Sequence, residues 1–146
     1  VVTAIVEDPK APLVGDPGVT LPGGPAASER FYITTAINYT NGNPHIGHAY
    51  EAVTSDVIAR YYRMVGKQVF FLTGTDEHGQ KVATTAEGMG MKPIELCDMY
   101  AGKFQALNRS LRISNDFFVR TTMPEHYVSA QELWNRCAAA GDIYLR

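Results

Sequence analysis

Three imidazoles and two carboxylates sit where this chain passes from apolar, β-forming runs into turns. His45 and His48 are three residues apart, with Gly47 between them, directly after the turn-forming run Asn41-Gly42-Asn43-Pro44. Spacing of three puts both rings on one side of the first turn of a helix. A helix start presents unpaired backbone N–H groups and the positive end of the dipole, which together favour phosphate. Gly47 permits close approach of another backbone or a flat ring. Further on, Gly74-Thr75-Asp76-Glu77-His78-Gly79 closes a second apolar run. Asp76 there can cap the next helix or hold a substrate ammonium through a charge-assisted bond. Glu77 and His78 can serve the same loop. Zinc is a rival for the histidines, but it needs His78 as a third ligand, and nearby sulfur or carboxylate partners are not obvious. No metal site is expected.

These residues require a scaffold. Phe31 to Thr40 is apolar and β-branched and reads as one buried strand, broken by the Asn41–Pro44 turn. His45 to Gly66 carries a helical pattern in Ile46, Ala49, Tyr50, Val53, Val57, Tyr61 and Val65. Val69-Phe70-Phe71-Leu72-Thr73 is unbroken by charge, as expected of a parallel strand covered on both faces. Strand, helix and strand make a βαβ unit, and ligands bind at the carboxyl ends of such strands. Both polar clusters should therefore face one crevice. The expected fold is α/β, a Rossmann-like parallel sheet with flanking helices, in which two imidazoles replace the usual glycine-rich phosphate cradle.

Beyond the second cluster, helices are expected from Gln80 to Met89 and from Pro93 towards Leu111, with a strand at Asp116–Arg120. Thr122 is placed to cap a core helix running from Pro124 through Trp134 to Gly141, and Ile143-Tyr144-Leu145 to begin another strand. Asp56 and Arg60 read as a surface i,i+4 pair, Glu51 lies one turn from His48 and can orient it, and Arg120-Thr121-Thr122 reads as a strand end. Ile37 and Tyr39 either line an apolar pocket or belong to the core.

At 146 residues the chain accommodates one domain, and 45% apolar with 19% charged residues is an ordinary soluble composition. A net charge of −2 shows no overall basic footprint for nucleic acid, and no apolar run is long enough to span a membrane. Cys97 and Cys137 belong to no Cys-x-x-Cys pair, which suits a reduced, cytoplasmic protein with buried thiols. Residues 1–29 are rich in proline and glycine, without periodicity, and read as a flexible extension preceding a nucleotide-binding unit over 30–146. Glu7, Asp8 and Asp16 ahead of the first arginine argue against a transit peptide.

His45-Ile46-Gly47-His48 resembles the HIGH signature of class I aminoacyl-tRNA synthetases. Thr35-Ala36-Ile37-Asn38-Tyr39 before it, Gly74–Gly79 after it, Phe118–Thr122 and Gly141–Leu145 resemble the methionyl branch of that class. The branched-chain enzymes typically carry proline shortly after His-Gly, where Gln80-Lys81-Val82 stands here. The resemblance implies activation of methionine by ATP, accompanied by Mg²⁺, and transfer of the methionyl group to tRNA(Met). It implies catalytic roles for His45 and His48, ATP contacts at Tyr39, Asn41, His45, Gly47 and His48, and methionine contacts at Ile37, Tyr39 and Asp76. Asn38 departs from the proline or aromatic usual in the family, and nothing resembling the KMSKS loop occurs in the chain. The expectation is an N-terminal piece of the catalytic domain, unable to complete the reaction alone, with tRNA contacts and any zinc-binding insertion elsewhere. Two alternatives stand beside it, a small HxGH nucleotidyltransferase and a noncatalytic ATP-binding or interaction module.

Overall fold

A computed structural model describes residues 29–145. The elements follow in the order β1 (Arg30–Thr34), β2 (Asn38–Tyr39), α1 (Ile46–Met64), β3 (Gln68–Asp76), α2 (Gln80–Gly88), α3 (Pro93–Ser110), β4 (Phe117–Arg120) and α4 (Pro124–Ala140). β3 is the centre of a four-stranded sheet and pairs in parallel with each of the other strands. Leu72 pairs with both Thr34 and Phe117, and Thr75 with both Asn38 and Arg120. β4 therefore runs along the edge of β3 opposite to β1 and β2. This is the expected parallel α/β architecture, with β3 reaching three residues further than the apolar run alone indicated.

The single strand expected from Phe31 to Thr40 is instead two. Thr34 is paired with Leu72 and Asn38 with Thr75, so Thr35, Ala36 and Ile37 stand opposite only Thr73 and Gly74. One extra residue makes a bulge, which bends the strand and re-aims its side chains. Side chains hold it there: Thr35 Oγ1 bonds Thr73 Oγ1 at 2.7 Å, and the Ala36 N–H donates to Glu51 Oε1 at 3.0 Å. Glu51 thus anchors the bulge to α1. On the opposite edge Gly74 faces Val119, and a Cβ there would overlap the Val119 carbonyl, so only glycine lets β4 close on β3.

Phe31, Ile33, Phe71 and Ala59 form one core cluster between the sheet and α1, and Val82, Ala86, Leu96, Cys97 and Tyr100 form a second between α2 and α3. α1 lies on the sheet through small or polar residues, Ala52, Ser55, Asp56 and Ala59. The apolar residues that mark its helical period lie on the other side: Ile46, Tyr50, Val53, Val57, Tyr61 and Val65 are exposed, Ile46 by 85%. Small residues allow the helix to approach the sheet closely, and the 3.6-residue period then carries the large ones outward.

α4 also departs from expectation. It buries no residue, and Trp134 is 62% exposed, so it is not a core helix among the described residues. Cys137 is only half-buried, whereas Cys97 is buried as expected. Met123, not Thr122, is the N-cap residue, and no side chain caps the helix. Ile143–Leu145 forms no strand, because a strand needs a neighbour's edge and β1–β4 offer it no pairing. The Pro/Gly-rich extension over 1–29 lies, but for its last residue, outside the described residues. Among the described residues no helix is long and apolar enough to cross a membrane.

Asp56 is buried, contrary to the surface reading. Its Oδ1 accepts from the Ser114 N–H at 2.7 Å and hydroxyl at 2.5 Å, and its Oδ2 from Arg60 Nε at 2.6 Å. These bonds fasten α1 to the segment entering β4. Burial pushes the carboxyl up, but the hydrogen bonds from Ser114 and Arg60 outweigh it and hold Asp56 below the ordinary carboxylate range. A folded pKa below the unfolded one means the stabilisation is complete above the unfolded value and is lost as pH falls through the folded value. Asp56→Asn should cost about 1 kcal/mol near neutral pH, read by urea unfolding, and the difference from the parent protein should shrink as pH falls through that window.

Candidate functional site

The turn after β2 delivers the chain to α1 through His45, whose extended backbone (φ −135°, ψ 176°) makes it the N-cap. Two histidines build the cap that Ser and Glu usually supply. His45 Nδ1 accepts from the Gly47 N–H at 3.1 Å, and His48 Nδ1 accepts from the His45 N–H at 3.1 Å. The rings stack with centroids 3.8 Å apart. Because each Nδ1 is an acceptor, each neutral ring carries its proton on Nε2, which leaves two N–H donors beyond the cap. The first turn of α1 carries no acidic residue to neutralise its positive end. His48 is fixed from behind by the edge of Phe104, at 5.0 Å between centroids, beside a small cavity bounded by Thr35 and Thr73. Burial, and next the neighbouring His45, lower the His48 pKa below its ordinary 6.5, with Glu51 acting in the opposite sense. Such an arrangement holds two Nε2–H donors ready for an anion.

The second group lies at the end of β3. Asp76 stands in register with Tyr39, so their side chains project to one face of the sheet. Thr40 holds this corner: its N–H donates to the Asp76 carbonyl at 3.3 Å, and its hydroxyl bonds Cys97 Sγ at 3.2 Å. Asp76 does not cap α2, where Gly79 occupies the N-cap position without a side-chain bond. Its Oδ1 receives a single long bond, 3.4 Å, from the His78 N–H. The carboxylate is thus available to a cation. Ile37, in the bulge, is 36% exposed and Tyr39 54% exposed, so the structure decides against the core reading of both. Asn41 is exposed in the turn, and the neighbouring Asn43 is held by Lys103 Nζ at 2.7 Å.

The candidate residues thus come together as two groups, His45–Gly47–His48 and Ile37–Tyr39–Asp76. Among the described residues no hydrogen bond or ring contact joins one to the other. His78 belongs to neither: its Nε2 donates to the Thr121 carbonyl at 3.1 Å, and its ring lies near Tyr127. Among the described residues no three His, Cys, Asp or Glu side chains are placed to hold a metal. Sequence reasoning missed the hub at Glu77, which gathers Arg120, Thr121 and Thr122, residues read as a mere strand end. The signal was their polarity: three consecutive hydrogen-bonding side chains follow the β-forming run Phe117-Phe118-Val119, and one of them, Thr121, is buried and needs a partner.

Residues 31–146 match the family described as tRNA synthetases class I (M). The chain belongs to this family. It is 54% identical over 114 residues to the methionine–tRNA ligase of Rhizobium meliloti strain 1021, covering 78% of this chain and 22% of that one. Against the methionine–tRNA ligase of Mycobacterium leprae it is 55% identical over 115 residues, 79% of this chain and 21% of the relative. Among solved structures, Mycobacterium tuberculosis methionyl-tRNA synthetase in complex with methionyl-adenylate superposes with a TM-score of 0.79 and 49% identity, over 80% of this chain and 23% of that one. The chain therefore spans about a fifth of the length of the relatives it matches.

Proposed function

We propose that the protein containing this segment activates methionine with ATP to form methionyl-adenylate, then transfers the methionyl group to tRNA(Met). The observation that carries this is the two-histidine cap, which aims Nε2–H donors away from a helix N-terminus free of acidic residues. In the activating step the methionine carboxylate attacks the α-phosphorus of ATP and pyrophosphate leaves. Negative charge grows on the phosphate oxygens, and donors already held in place stabilise it without reorganisation. His45 and His48 take that role, and Gly47, with no side chain, lets adenine lie against α1. Tyr39 and Asn41 border the same turn and complete the ATP side. Asp76 holds the methionine ammonium, with Ile37 and Tyr39 beside it; an aromatic ring suits a polarisable thioether. ATP brings Mg²⁺ as part of the substrate.

The similarity to a synthetase solved with methionyl-adenylate supports this reading, as does the family match over residues 31–146, a span that includes both residue groups. The test is methionine-dependent exchange of pyrophosphate into ATP by the full-length protein. Exchange that requires methionine and ignores leucine and valine is expected. A folded protein that binds ATP but exchanges nothing is the result expected of a noncatalytic module and overturns the proposal.

A further inference from the structure

The carboxylate next to Asp76 is the most fully bonded among the described residues. The Glu77 side chain is 0% exposed. Its Oε1 accepts from Arg120 Nε at 2.7 Å and from the Thr75 hydroxyl at 2.8 Å. Its Oε2 accepts from an Arg120 Nη at 3.1 Å and from the Thr122 hydroxyl. The main chain is held as well: the Glu77 N–H donates to Thr121 Oγ1 at 2.9 Å, and its carbonyl accepts the Cys97 thiol at 3.6 Å. Arg120 continues to Asp98 at 2.6 Å, reaching α3. One residue thus ties together β3, the end of β4 and α3.

We propose that Glu77 is a positioning residue for the ammonium group of the substrate, acting through Asp76. The inference rests on the proposed role of Asp76. Two adjacent carboxylates end β3, and they have opposite fates. Glu77 is paired in place with a bidentate guanidinium, and the hydrogen bonds that Arg120 donates to Glu77, and next to Asp98, raise the Arg120 pKa above its ordinary value. Asp76 receives one long hydrogen bond, which leaves its oxygens open to a ligand. The clamp acts on Asp76 through the main chain. It fixes the peptide between the two residues, and with it the direction of the Asp76 side chain. Arg120 stands in register with Thr75, so its side chain shares the face of Glu77, while Asp76 projects to the opposite face with Tyr39.

The test uses Glu77→Gln in the full-length synthetase, read by pyrophosphate exchange with methionine and ATP varied separately. Gln keeps the shape but removes the charge and turns an N–H₂ towards donors. The methionine KM should rise by about tenfold, with the ATP KM and kcat within about threefold of wild type. Arg120→Gln opens the same clamp from the other side, so alone it should raise the methionine KM to a similar extent, and combined with Glu77→Gln it should add little. A merely structural Glu77 predicts otherwise: kcat and both KM values worsen together, and the two single losses add in the double variant. Either of those results overturns the proposal. If Glu77→Gln does not fold, Arg120→Lys, which keeps the charge but not the two-pronged bond, is expected to raise the methionine KM alone, and an unchanged KM overturns the proposal. Methionine-dependent exchange by the wild type, with a raised methionine KM in Asp76→Ala, checks the underlying reading independently. If those hold and Glu77→Gln is silent, only the positioning role is lost.

Discussion

In the full-length synthetase, His48→Ala should lower kcat for methionine-dependent pyrophosphate exchange by about 10²–10³-fold, the usual cost of removing one preorganised donor to a developing oxyanion. The methionine KM should stay within about threefold, because His48 lies in the other residue group. The cap explains why the effect should fall on the transition state. His48 is held by its own Nδ1 bond to the His45 N–H, by the stacked His45 ring and by the edge of Phe104, so its Nε2–H needs no reordering when charge appears. A pH dependence follows from the same bonds. Protonation puts an N–H on Nδ1, directly against the backbone N–H it now accepts from, and breaks the cap. The folded pKa lies below 6.5, so the neutral form persists down to that lowered value, and exchange should decline only as pH falls through it. A rate limb at or above 6.5, or a His48→Ala enzyme with unchanged kcat, contradicts this assignment.

Asp76→Ala should raise the methionine KM by about 10²-fold, the scale of losing a charge-assisted bond of about 1.5–3 kcal/mol. The ATP KM should hardly move. The contrast within one dipeptide makes the prediction specific: Asp76 carries one long hydrogen bond, whereas Glu77 beside it is bound at every polar atom. Isothermal titration with methionine and with ATP separates the two substrates directly. Equal weakening of both points to a collapsed strand end instead of a lost ammonium partner.

Much of this was legible in the chain. Apolar β-forming runs and a 3.6-residue period located β3, α1, α2, α3, β4 and α4 with ends shifted by a residue or two, and by three at the end of β3, since each rests on local hydrophobic order and on Gly and Pro at its limits. Burial was less legible. The Trp134 helix was expected in the core, and the apolar pattern of α1 left its buried side open, because periodicity says only that residues share a face, never which face meets the sheet. On α1 the small face won, because Ala52, Ser55 and Ala59 let the helix settle closely against Phe71 and Ile33.

The sequence by itself determined the chemistry at its two strand ends: which residues carry imidazole, carboxylate and aromatic groups, and that a helix begins at His45. These depend on residue type and short spacing, which survive folding unchanged. Only the tertiary structure decided how the groups are held. The bulge at Thr35–Ile37 depends on registry against β3, the burial of Asp56 on Ser114, and the choice between Asp76 and Glu77 on Arg120 arriving from a strand forty-three residues downstream of Glu77. Bonds between residues so far apart leave no periodic trace, because the chain between them imposes no spacing on their partnership.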